Sequence, residues 1–242
     1  MIKTEQDPLL MFSMLMKPLS PFSTLQNLKK NTNYLNARIF GINIIKYLAS
    51  KNELEEKIYH SSIYLLDRLY FDLNYSFDIQ KTAIACVIIM TKFLDNGVKG
   101  KYLEREVSLN IKNFDYPFIE KKILQLIDYN LNFITTFDIC NFILDNGIIF
   151  TGESPRNIDK IYLSCLFQLN AVVEKKKFLN YNPIEIVFSI ISFTRELYGL
   201  EPKYDIFEKI YKIPLSSYEK CLNELKSKIH VKKCKVCIKN KN

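Results

Sequence analysis

The stretch IQKTAIACVIIMTKFL, residues 79–94, holds ten consecutive residues, 82–91, that carry no charge. A segment apolar on nearly every side must be surrounded by other elements. It is shorter than the roughly 20 apolar residues a membrane span needs, so it reads as the central helix of a soluble bundle. Asp78 is placed to cap its N-terminus, Lys92 to oppose the helix dipole at its C-terminus, and Gly97 to stop it just beyond. The other helices of the first half are expected to wrap around it.

Working outward, a helix is expected from near Asn33 through ARIFGINIIKYLA. Gly41 inside it costs about 1 kcal/mol against alanine, which signals a close approach by another backbone or side chain. A second helix, from about 53 to 72, carries Ile58, Ser62, Leu65, Leu66 and Leu69 on one amphipathic stripe. His60 within it reads as a surface or boundary residue. Beyond the central helix, KYLEREVSLN reads as a more exposed helix, and Asp115 with Pro117 opens another whose inward face is Ile119, Ile123, Leu126 and Ile127.

A second cycle starts at Thr135 or Thr136 and leads through Phe137, Cys140, Phe142 and Ile143 to Gly147. Ser154–Pro155 and Asn182–Pro183 each pair an N-cap with a proline at the first helical position. The helix after Asn182, IEIVFSIISFTREL, is the most apolar of this cycle. A short helix at KYDIFEKIYK follows, and Ser216 with Glu219 is read as a capping box for SYEKCLNELKSKI. No alternation of strand length competes with these periodicities. The fold class is therefore all-α: five helices, a short join at 132–135, and five more.

The chain has 242 residues, 48% of them hydrophobic, enough for a sizeable core. Of its net charge of +8, seven lysines lie beyond Leu225 with no acid among them, which leaves +1 for the rest. The basicity belongs to the tail. The six cysteines are scattered, and Cys86, Cys140 and Cys165 fall in apolar helical patterns, as buried thiols of a reducing compartment do. LLMFSMLM, near the N-terminus, reads as a short helix packed on the first domain or a partner, and neither a signal peptide nor a membrane anchor is indicated.

Motifs for catalysis are missing: there is no P-loop, dinucleotide fingerprint, nucleophile elbow or HExxH. His60 and His230 are the two histidines of the chain. Cys234 and Cys237 form one CxxC with His230 nearby, short of the four ligands of a structural zinc site, so no metal and no cofactor is expected. The lysine tail has neither arginine nor aromatic residue, the groups that read base edges and stack on bases. Specific nucleic-acid binding is not expected of it.

Three segments in order, IYHSSIYLLDRLYF at 58–71, the central segment ending in TKFLD, and IEKKILQLIDYNLNF at 119–133, resemble the cyclin box. Cyclins show an [IL]DRF-like helix, an apolar helix closing on A-S-K-[FY], and a glutamate-led helix running into L.FNLNFPT. The similarity extends over roughly 34–228, with KFLNYNPIEIVFSI and LSSYEKCLNEL similar to family segments of the second domain. The resemblance implies an N-terminal extension at 1–31, a cyclin box at 32–134, a second cyclin-like domain at 135–229 and a basic tail at 230–242.

It also implies roles. The family's box arginine and helix-two aspartate, an internal bridge, fall on Arg38 and Asp67. The kinase-contacting lysine and glutamate fall on Lys92 and Glu120. A substrate-docking patch would fall on Ala37, Phe40, Gly41 and Ile44, but where cell-cycle cyclins have Met-Arg-Ala-Ile-Leu and then tryptophan, this chain has no tryptophan. Lys81 takes an apolar position of the family's central helix, and Leu94 with Asp95 stands for its double acid.

The implied function is that of a cyclin: a regulatory subunit, not itself an enzyme, that binds and activates a cyclin-dependent serine/threonine kinase in cell-cycle control. Protein substrates would be reached through the kinase, and the location would be nucleus and cytoplasm. The alternative is a cyclin-fold transcription protein, whether a transcription cyclin or a nucleic-acid-bound module like an initiation factor; the near-neutral body favours the kinase partner.

Overall fold

The computed structural model describes residues 32–71, 78–95, 97–111 and 114–228. They form two compact units divided between Thr135 and Thr136. Among the described residues there are ten α-helices and two short 3-10 turns, with no β-strand. No helix there is long and apolar enough to cross a membrane. The expectations for LLMFSMLM and for the Cys234, Cys237 and lysine tail lie outside the described residues.

The first unit consists of α1 (Thr32–Lys51), α2 (Glu56–Phe71), α3 (Ile79–Leu94), α4 (Val98–Asn110) and α5 (Tyr116–Leu126). α3 touches each of the other four. Every residue from Thr82 to Thr91 is buried, and each Ile or Val among them contributes about 1.5–3 kcal/mol by leaving water. The Asp78 carboxylate accepts from the Lys81 N–H at 2.9 Å and caps the start. At the far end Gly97 has φ +77°, a left-handed turn that glycine takes without a Cβ clash. Gly41 is the close approach its position in α1 suggested: a Cβ there would lie 3.0 Å from Leu66 and 3.2 Å from Ile79.

The second unit consists of α6 (Thr136–Asp145), a 3-10 turn (Ile148–Phe150), α7 (Pro155–Val173), a second 3-10 turn (Lys176–Asn180), α8 (Pro183–Leu197), α9 (Tyr204–Tyr211) and α10 (Leu215–Lys228). α8 is the central helix here, packed on α6, α7 and α10. Asn182 and Glu185 form a capping box at its start, and every residue from Ile186 to Arg195 is buried. Phe188 meets Phe207, Tyr211 and Tyr218 at centroid distances of 4.4, 5.6 and 5.8 Å, joining α8 to α9 and α10.

Four expectations need correction. His60 is buried, not a boundary residue: Tyr59, His60, Ser61 and Ser62 are consecutive and all buried, so α2 is covered far beyond one stripe. α2 starts at Glu56, because Glu53 adopts φ +48° in the turn that ends α1. Leu126 is 39% exposed, whereas Ile119, Ile123 and Ile127 do point inward. Ser216 lies one residue inside α10, which begins at Leu215, so it is not the N-cap.

Candidate functional site

Four charged residues singled out from the sequence fall into two pairs of different kind. Tyr34 and Arg38 lie one turn apart on α1 and face Asp67 of α2. Arg38 Nε and Nη2 donate to the two Asp67 oxygens at 2.7 and 2.8 Å, and the Tyr34 hydroxyl donates to Oδ1 at 2.6 Å. All three residues are buried. Tyr34 stacks on Tyr70, with Phe71 edge-on at 4.8 Å. Burial and the adjacent Asp67 charge hold the Tyr34 hydroxyl well above its usual pKa, so it remains a donor. A bidentate, fully enclosed pair of this kind joins two helices and offers nothing to a ligand.

The second pair is at the surface. Lys92 sits near the end of α3 and Glu120 in the first half of α5, and Nζ lies 3.1 and 3.3 Å from the two Glu120 oxygens. The lysine stem is fixed by α4: a Cβ on Gly100 would come within 2.5 Å of Lys92 Cγ and 2.8 Å of its backbone nitrogen. That approach carries Glu104, one turn further along α4, to 2.7 Å from Nζ. Beneath the ammonium lies the Tyr116 ring, its centroid 4.4 Å from Nζ, a cation–π contact. The Tyr116 hydroxyl donates to Glu120 Oε1 at 2.6 Å. Burial first, then this bond to Glu120, pushes its pKa far up.

The lysine side chain is 24% exposed, and Glu104 and Glu120 are similar. Exposed aromatic residues adjoin the cluster in sequence: Phe93 follows Lys92 and is 49% exposed, and Phe118, two residues before Glu120, is 48% exposed. The surface therefore combines a lysine and two carboxylates over a tyrosine ring. Of the residues suggested for a docking patch on α1, Phe40 is half exposed, Ala37 and Ile44 are partly covered, and Gly41 is buried against Leu66 and Ile79.

Gly100, Glu104 and Tyr116 escape the sequence reading. The Gly-x-x-x-Glu spacing on α4 was the available signal, since it puts a close approach and a carboxylate on one face. In the second unit a buried arginine was also missed. Arg195 of α8 donates to the Ile149 carbonyl at 2.8 Å, to the Glu201 carbonyl and to the Glu153 carboxylate. Its place at the end of an otherwise uncharged run was the clue.

No protein-family profile matches the chain, and no curated protein matches it in sequence. Among solved structures, it is similar to a viral cyclin from herpesvirus saimiri, with a TM-score of 0.64 at 18% identity over 79% of this chain and 83% of that one. The likeness in backbone shows that this chain has the all-α cyclin fold.

Proposed function

We propose that the chain is the regulatory subunit of a cyclin-dependent serine/threonine kinase, acting in cell-cycle control. One observation carries this reading. Lys92 and Glu120, 28 residues apart, come together at the surface, and these are the positions at which the cyclin resemblance puts its kinase contacts. Part-exposed charges held in place over a tyrosine ring suit a protein partner of complementary charge.

In this reading the first unit packs on the kinase's C helix and activation segment. Rotation of that helix brings its glutamate to the ATP-binding lysine, the arrangement phosphoryl transfer requires. ATP and magnesium belong to the kinase, and the chain contributes no reacting group. Nuclear and cytoplasmic location, assisted by the basic tail, belongs to the same proposal: removing residues 231–242 should change nuclear enrichment and leave kinase affinity intact.

The test is charge reversal. Lys92→Glu and Glu120→Lys should each retain the helical spectrum and weaken binding and activation of a cyclin-dependent kinase at least tenfold, about 1.4 kcal/mol. Parental activation by both variants, folded normally, would sink the kinase reading.

A further inference from the structure

The face just described holds a carboxylate too many. Nζ donates to Glu120, whose two oxygens lie at 3.1 and 3.3 Å, and forms an ion pair with Glu104 Oε2 at 2.7 Å, so one ammonium faces two carboxylates. The Tyr116 ring occupies a further side. Gly100 packs against the stem at Cγ and holds it from swinging toward α4, so the ammonium can change partners at its tip alone. The charge of Lys92 is therefore more than compensated while both carboxylates stay in place.

The two carboxylates are not held alike. Glu120 is bound twice, by Lys92 and by the Tyr116 hydroxyl at 2.6 Å. For Glu104 the ion pair with Lys92 is the one found among the described residues. With the lysine 24% and the glutamate 28% exposed, that contact is worth at most about a fivefold factor in an equilibrium. It is the contact that opens first. Two carboxylates around one ammonium also leave the cluster with a net charge of −1.

We propose that Glu104 is an intramolecular competitor for Lys92 that sets the affinity of this face. The Lys92–Glu104 ion pair must open before Lys92 can pair with an acceptor of the kinase. The partner surface that fits supplies an acceptor that takes the place of Glu104 at Lys92. The inference rests on the kinase-binding reading and adds to it the residue that holds the lysine back.

The experiment titrates full-length protein with a cyclin-dependent kinase prepared without any other regulatory subunit. Glu104→Gln keeps the shape of the side chain and removes its charge. It should tighten binding about two- to fivefold, the range expected for a partly exposed pair. In a Lys92→Met background the same change should give no gain, because the competitor then has nothing to compete for. If Glu104→Gln binds equally or more weakly while Lys92→Glu and Glu120→Lys still impair binding, the competitor role is wrong and the kinase reading stands. A gain that persists with Lys92→Met overturns the role as well, since the effect would not pass through the lysine. If the parent protein binds no such kinase, the kinase reading fails, and the inference with it.

Discussion

The two central helices, α3 and α8, are built alike and end differently. Each starts after a capping Asp or Asn, and in each a buried run of ten begins at the fourth residue. The thirteenth residue is Thr91 in one and Arg195 in the other; the fourteenth is Lys92 or Glu196, and the fifteenth is exposed Phe93 or Leu197. Thr91 donates its hydroxyl to the Val87 carbonyl of its own helix at 2.7 Å, and among the described residues this is the hydrogen bond found for its side chain. Arg195, fully enclosed, ties α8 to the Ile148–Phe150 turn, to Glu153 and to the loop at Glu201. At the next position the charges are inverted. Glu196 accepts from the Tyr204 hydroxyl and pairs with Lys226, each at 2.6 Å, where Lys92 has two glutamates and a tyrosine ring.

The contrast concerns exchangeability. A buried guanidinium with its acceptors in place cannot trade them without leaving desolvated groups unpaired, whereas a partly exposed lysine can exchange one carboxylate for another acceptor at little cost. The second unit locks the end of its central helix. In the first, the lysine at that end is part-exposed and can exchange one acceptor for another, and the unit's own buried arginine is placed elsewhere, on α1 at Arg38.

The largest effects should come from the enclosed arginines. Arg195→Met leaves the largely covered Glu153 carboxylate and the Ile149 and Glu201 carbonyls without the guanidinium donors, and Asp67→Ala leaves the Arg38 guanidinium uncompensated. Each should cost about 3–5 kcal/mol. Thermal unfolding followed by circular dichroism should show the loss in the unit that carries the substitution. An unchanged melting temperature in either case would remove one side of the contrast.

Gly100→Ala should act next. The added methyl meets the Lys92 backbone, not the far end of a flexible chain, so α4 must shift from α3. Overpacking of this kind costs about 1–3 kcal/mol. The shift also takes Glu104 away from Nζ. Parental stability in Gly100→Ala would show that α4 has room and that the lysine stem is not pinned.

The fold was legible because its strongest signals are local. The uncharged run 82–91, the Asp78 cap and the Ser154–Pro155 and Asn182–Pro183 starts can each be read within a few residues. Gly41 was equally plain, since a glycine inside a good helix has few explanations. Lys92 and Glu120 were singled out by the family resemblance alone, and their pairing was not legible: 28 residues separate the two, and read singly they are a dipole-compensating lysine and a solvated glutamate. Glu104 lies on a helix of mixed charge, and its spacing of four from Gly100 is the one local sign that this acid turns toward α3. His60 was misread because a stripe marks the minimum a helix buries, while α2 is covered on several sides.

The smallest expected effect is the sharpest test of the contrast between the helix ends. Glu196→Lys reverses the charge at the register of Lys92 and breaks the pairs with Lys226 and Tyr204. The Glu196 and Lys226 side chains are 30% and 38% exposed, so the change in stability should stay below about 1 kcal/mol. Lys92→Glu should lower stability somewhat more, since it sets a third carboxylate beside Glu104 and Glu120 and loses the Tyr116 ring contact. The comparison is therefore read in affinity, on variants that circular dichroism shows to be folded. If the open end of α3 serves the partner and the locked end of α8 does not, kinase binding by Glu196→Lys should remain within about twofold of the parent, against a loss of at least about tenfold for Lys92→Glu. Equal losses would mean that the inverted charges at the two helix ends both face the kinase, and that locking by Arg195 is compatible with binding.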